Sequence, residues 1–209
     1  MNKPKIQEAM LRCPFCNTEE QHNLYPVVDL VENPSLKLGL LTDALFSVRC
    51  KKCNNLFSVM HEMLVMDKEA SFAILLAPES ELTEIKEPSE EIGQFTTLRL
   101  VNSSDELKEK ILLLDAGLDD KTIELCKMYL LMKMERPGLT LLYADYQVGE
   151  SQMLFSAFNE KDEMEETIQC SDGLYTQLLK TAEEFSLKQG YFLRINQAWA
   201  FNAIKNSAG

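Results

Sequence analysis

Two cysteine pairs dominate the chemistry open to this chain: Cys13-Pro14-Phe15-Cys16 and Cys50-Lys51-Lys52-Cys53. A CxxC pair presents two thiolates at one turn, and two pairs supply the four sulfur ligands of a closed tetrahedral zinc site with Zn–S bonds of about 2.3 Å. The spacing predicts one structural Zn2+ ion held by Cys13, Cys16, Cys50 and Cys53. To aim its amides at the sulfurs, the backbone must reverse just beyond the second cysteine of each pair. Asn17 and Asn54 occupy those two places, and asparagine is the commonest non-glycine residue in the left-handed conformation such a reversal needs. A metal closed by four sulfurs has no open position at which to activate water.

Cys13 and Cys16 have a redox alternative. A catalytic dithiol sits between a buried strand and a helix start that lowers its thiol pKa. Here Gln7-Glu8-Ala9-Met10-Leu11-Arg12 precedes the pair and is not an apolar strand, while residues 17–23 are polar and carry no helical stripe, so metal binding is the preferred reading. Cys126 and Cys170 have no partner at ligand spacing and read as buried, inert thiols. His22 and His61 are the only histidines. Either can serve as base or ligand, but no catalytic company is visible: there is no Gly-rich phosphate loop, no HExxH and no GxSxG. The carboxylates from Glu160 to Glu166 read as a solvated loop.

The elements that must position the cysteines are strand-like. His22 to Val31, Leu45 to Val48, Leu56 to Val65 and Ser71 to Leu76 are rich in Val, Phe, Leu and Met. Between the knuckles lie 33 residues, more than the roughly 15–20 of a compact ribbon, and Asn33-Pro34 predicts a short inserted helix through Leu41, capped by Asn33 with Pro34 at its first position. Farther on, Ser103 and Glu106 have capping-box spacing, Leu107, Ile111, Leu114 and Leu118 recur at helical intervals, and Gly117 offers a left-handed stop. Asp119 or Asp120 caps a second helix through about Met134 that buries Ile123, Cys126, Tyr129 and Leu130. Two strand runs follow, Leu139 to Gln147 and Gln152 to Phe158, then a helix from Ser171 or Asp172 that ends at Gly190. The tail holds the only Trp, Trp199.

These residues resemble the CpXC domain family, bacterial and archaeal proteins named for a Cys-Pro-x-Cys motif. The likeness covers both knuckles, Glu32-Asn33-Pro34-Ser35-Leu36-Lys37 and Leu45-Phe46-Ser47-Val48-Arg49-Cys50, and extends through Leu107 to Leu131. It implies that the family's metal cysteines are Cys13, Cys16, Cys50 and Cys53. Lys51 stands where the family often has a second proline, and Asn17 and Asn54 where glycine is usual; neither departure removes a ligand. The resemblance implies a zinc domain and brings no activity with it.

The expected fold is therefore α+β: a β-rich, zinc-ribbon-like domain over residues 1–77 with a long insertion between its knuckles, an acidic linker or loop over 78–93, and a mixed helical and strand region over 94–209. Residues 1–77 carry eight basic and nine acidic groups, 78–93 one and six, 94–209 twelve and eighteen, for an overall formal charge of −12. Only Arg49-Cys50-Lys51-Lys52 concentrates positive charge, which disfavours a nucleic-acid-binding ribbon, since such binders draw affinity from Lys and Arg on phosphates. No run approaches the roughly 20 apolar residues of a membrane span, and Met1 to Arg12 lacks the apolar core of a signal peptide; a cytoplasmic protein is expected. Two function classes remain: a non-catalytic binding or regulatory protein whose partner is another protein, and an enzyme with an unmarked site in a cleft between the two parts.

Overall fold

Strand β1 (Lys5–Arg12) pairs antiparallel with β2 (Glu19–Asp29), Arg12 opposite Glu19, so that the first CxxC forms the hairpin tip. The computed structural model describes residues 4–207. Nearly every β1 side chain is exposed, which is why no apolar alternation announces the strand. After β2, the Asp29 carboxylate accepts hydrogen bonds from the Val31 and Glu32 amides and turns the chain. Helix α1 (Ser35–Leu41) follows, buried through Leu40. Its N-cap is Pro34, with no side-chain cap; Asn33, expected to cap it, instead bonds back to the Asp29 carbonyl.

Short strands β3 (Ser47–Arg49) and β4 (Leu56–Ser58) make a second antiparallel hairpin, with the second CxxC at its tip. The apolar run Leu56 to Val65 is thus not one strand. It breaks at residues 59–62, where the Val59 amide donates to the Phe46 carbonyl, and resumes as β5 (Met63–Asp67) in a different sheet. β5 pairs antiparallel with β6 (Phe72–Leu76) and parallel with β2.

In the acidic stretch that reads as a linker or loop, β7 (Glu84–Lys86) and α2 (Glu90–Gly93) are formed, the latter capped by the Ser89 hydroxyl. Its carboxylates face solvent except Glu87, which is half-buried, while Ile92 and Ile85 join Phe95 against Ala73, Leu98 and Leu100 of the sheet. β8 (Thr97–Val101) pairs parallel with β6. Together with residues 190–192 these elements form one of two compact units, which runs to Lys108.

Helix α3 (Ser104–Asp115) leads into the second unit, Glu109–Gln189 with Leu193 onward. The Ser103 hydroxyl accepts from the Glu106 amide, and the Glu106 carboxylate accepts from Asn102, a reciprocal cap shifted by one residue from the ideal box. Gly117, at φ +65°, ends the helix left-handed. Asp119 caps α4 (Asp120–Lys133) by accepting from the Thr122 amide. Ile123 and Cys126 are buried as expected, but Tyr129 is exposed and Leu131 takes the inner place.

Strands β9 (Thr140–Gln147), β10 (Gln152–Phe158) and β11 (Met164–Ser171) form an antiparallel sheet in the order β11-β10-β9. Tyr143, Phe155 and Ile168 sit side by side in register, and alternate residues join Leu113, Ile123 and Cys126 in one core. Part of the expected Glu160 to Glu166 loop is therefore strand, and Arg136 pairs with Glu165 and Glu166 there. Helix α5 (Asp172–Glu183) is capped by Ser171. It stops at Glu183, short of Gly190, which instead has φ +74° just before β12 (Tyr191–Leu193). In α6 (Gln197–Ser207), Trp199 meets the Phe185 ring edge-on at 5.9 Å. The larger sheet runs β1-β2-β5-β6-β8-β12-β7, giving the α+β fold expected. No helix among the described residues is long and apolar enough to cross a membrane.

Candidate metal centre

Both CxxC segments adopt the same turn. The Cys13 amide donates to the Thr18 carbonyl and the Asn17 amide to the Cys13 carbonyl, each at 2.9 Å. In the second knuckle, Cys50 donates to Asn55 at 3.0 Å and Asn54 to Cys50 at 2.9 Å. Asn17 and Asn54 are left-handed, at φ 58° and 60°. The two turns face each other. Cys13 Sγ lies 3.6 Å from Cys53 Sγ, and Cys16 Sγ lies 3.6 Å from Cys50 Sγ; all four sulfurs fall within 4.8 Å of one another.

That geometry fits a metal. Four sulfurs at 2.3 Å from a tetrahedral ion stand roughly 3.8 Å apart, close to the separations seen, and all six cysteines are unbridged thiols. No helix begins after Cys16; β2 does. The pair consequently lacks the helix start on which a catalytic dithiol relies.

Two neighbours that the sequence did not single out complete the surroundings. Thr18 Oγ1 lies 3.4 Å from Cys16 Sγ. Glu20, on β2, accepts from the Lys51 amide at 3.0 Å and lies 3.6 Å from Cys50 Sγ. Residues 17–23 read only as a polar run, so no signal in the sequence marked it. The Lys51 amide holds the Glu20 carboxyl below its usual range, ahead of the opposing effect of burial.

The thiols themselves are unequal. Hydrogen bonds with the Thr18 side chain and backbone lower Cys16 to about 6. For Cys50 the Cys53 amide acts downward, but burial and the adjoining thiols of Cys53 and Cys16 outweigh it and push the group up to about 12. Thiolates are the metal-binding form, so a divalent ion bound here would displace the protons that the thiols hold.

Neither histidine joins the cluster. His22 Nε2 approaches Glu20 at 3.6 Å, while His61 packs on Phe46 with its ring nitrogens 3.4 Å from the Val59 and Tyr25 carbonyls. Cys126 and Cys170 lie in the second unit's core. Sequence spacing gave them no partner, yet they interact: a hydrogen bond with Cys170, then burial, drives the Cys126 thiol up, and the same bond lowers Cys170.

Two facing CxxC turns at the tips of two β-hairpins define a ribbon-type tetracysteine protein. The chain belongs to the CpXC family: the model of the family described as CpXC protein matches residues 11–127, more than half of the sequence. No curated protein and no solved structure matches it.

Proposed function

We propose that Cys13, Cys16, Cys50 and Cys53 bind one structural zinc ion in a non-catalytic protein that binds or regulates another protein. The observation that carries the metal assignment is the approach of four thiols from two matched turns to within 4.8 Å. Thiolate donors in a tetrahedral set suit Zn2+. The ion would join the β1–β2 hairpin to the β3–β4 hairpin, whose strands have three residues each, too short to hold together alone. Zinc binding by small modules contributes roughly 10–16 kcal/mol of folding free energy.

With every coordination position filled by sulfur, the ion supplies structure and no reactive site. Phe15 at the first knuckle's tip is 61% exposed, and Leu56 just past the second knuckle 54%; both would be available to a protein partner. The formal charge of −12 opposes phosphate backbones. Unbridged thiols suit a reducing compartment, in keeping with a cytoplasmic location. The test is elemental analysis of reductant-purified protein, followed by a pull-down from native lysate beside a salt-dependent DNA and RNA binding assay. One zinc per chain and a stoichiometric protein partner are expected. Absence of metal, or tight nucleic-acid binding that weakens with salt, overturns the reading.

A further inference from the structure

Five charged side chains are buried in the second unit's helical hairpin: Glu109 and Lys110 on α3, and Asp120, Glu124 and Lys127 on α4, none more than 6% exposed. Their pairing is uneven. Lys127 Nζ lies 2.7 Å from Glu109 Oε1 and 2.8 Å from Glu124 Oε1. Lys110 Nζ lies 3.0 Å from Asp120 Oδ2, donates to the Ile195 carbonyl at 2.6 Å, and is 3.7 Å from Glu124 Oε1. Glu109 also accepts from the Tyr143 amide. Glu124 shares both ammoniums with Glu109 and Asp120, meeting Lys127 at 2.8 Å and Lys110 only at 3.7 Å through the same oxygen, and its second oxygen, Oε2, is buried without any hydrogen-bond partner.

A bare, ionised carboxylate oxygen in a dry core is costlier than the same group as a neutral acid. We propose that Glu124 carries a proton at neutral pH and that this proton is a pH-sensitive element of the second unit, whose loss in alkali loosens α4. The charged groups acting on Glu124 are Lys127 of its own helix and Lys110 and Glu109 of α3; Asp120 competes for Lys110. Burial, then the like charge of Glu109, raise the Glu124 carboxyl, with Lys127 and Lys110 opposing. Lys127 is different: burial lowers it, but the charge of Glu109 and the hydrogen bonds Lys127 donates to Glu109 and Glu124 outweigh that and keep it an ammonium.

A carboxyl raised in the folded state binds more protons there than in the unfolded chain. Its stabilising effect is full below the ordinary glutamate range, near 4.3, and is lost as pH climbs through the folded value. Infrared spectroscopy of the full-length protein at pH 7 tests the assignment. A protonated-carboxyl band is expected in the wild type and absent in Glu124→Gln, whose amide mimics the neutral acid. Between pH 5 and 8 the wild type should lose stability relative to Glu124→Gln by about tenfold or more in its folding equilibrium constant. Glu109→Gln frees Lys127 for Glu124 and should remove the band. A wild type without such a band at pH 7, which requires no variant to fold, overturns the proposal, as does a band that survives in Glu124→Gln.

Discussion

Glu20 accepts a hydrogen bond from the Lys51 amide at 3.0 Å across 31 residues of sequence, tying the first hairpin to the middle of the second CxxC loop. The bond fixes where the second knuckle's backbone sits relative to the sulfurs of the first. Groups that orient metal ligands in this way typically change affinity by about 10–100-fold when removed. Glu20→Ala should therefore weaken zinc binding by roughly tenfold, read by competition with a chromophoric chelator. Glu20→Gln, which keeps an acceptor oxygen, should lose less. Equal affinities for wild type and Glu20→Ala would show that the knuckles locate each other unaided.

Metal removal should destabilise the hairpins that carry the knuckles. Chelator is expected to lower the thermal midpoint, and Cys50→Ser to do the same with no further response to chelator, since the folding free energy from the metal is already gone. A melting curve indifferent to chelator contradicts a structural role for the ion.

The left-handed turns offer a sharper local test. Asn17 and Asn54, at φ 58° and 60°, should accept glycine with little loss, because glycine adopts this conformation freely. Alanine should cost about 1–2 kcal/mol at either position, measured by denaturant unfolding of the zinc-loaded protein. An alanine variant as stable as wild type would mean that the turn relaxes.

Thiol counting separates the two groups of cysteine. Cys126 is 0% and Cys170 1% exposed, so both should resist a thiol reagent until the second unit unfolds, whereas Cys13, Cys16, Cys50 and Cys53 should react on chelation alone. Six thiols reacting together on chelation would show that metal loss unfolds the whole chain.

Much of the chain's local architecture was legible because its causes are local. Ser103 with Glu106, Gly117, Asp119 and Ser171 act on backbone groups within a turn of themselves, and each marks the helix boundary expected of it. Gly190 misled because a left-handed glycine serves a strand entry as well as a helix end. The exposed edge strand β1 and the carboxylate-rich start of β11 gave no warning, since neither shows an apolar alternation at its exposed end; each is held by the strand beside it.

By itself the sequence determined the candidate metal centre: two CxxC pairs supply four sulfurs, and each pair lies within five residues of the asparagine able to reverse the chain behind it, Cys13 to Asn17 and Cys50 to Asn54. Tertiary structure alone decided that Glu20 would brace Lys51, that Ile92 would pin the acidic segment to a sheet, that Cys126 would meet Cys170, and that Glu124 and Lys127, spaced like a solvent-facing pair, would lie in a core. Spacing along a helix specifies which side chains share a face. What covers that face is set by segments far away in sequence, here α3, β9 and the residues around Ile195.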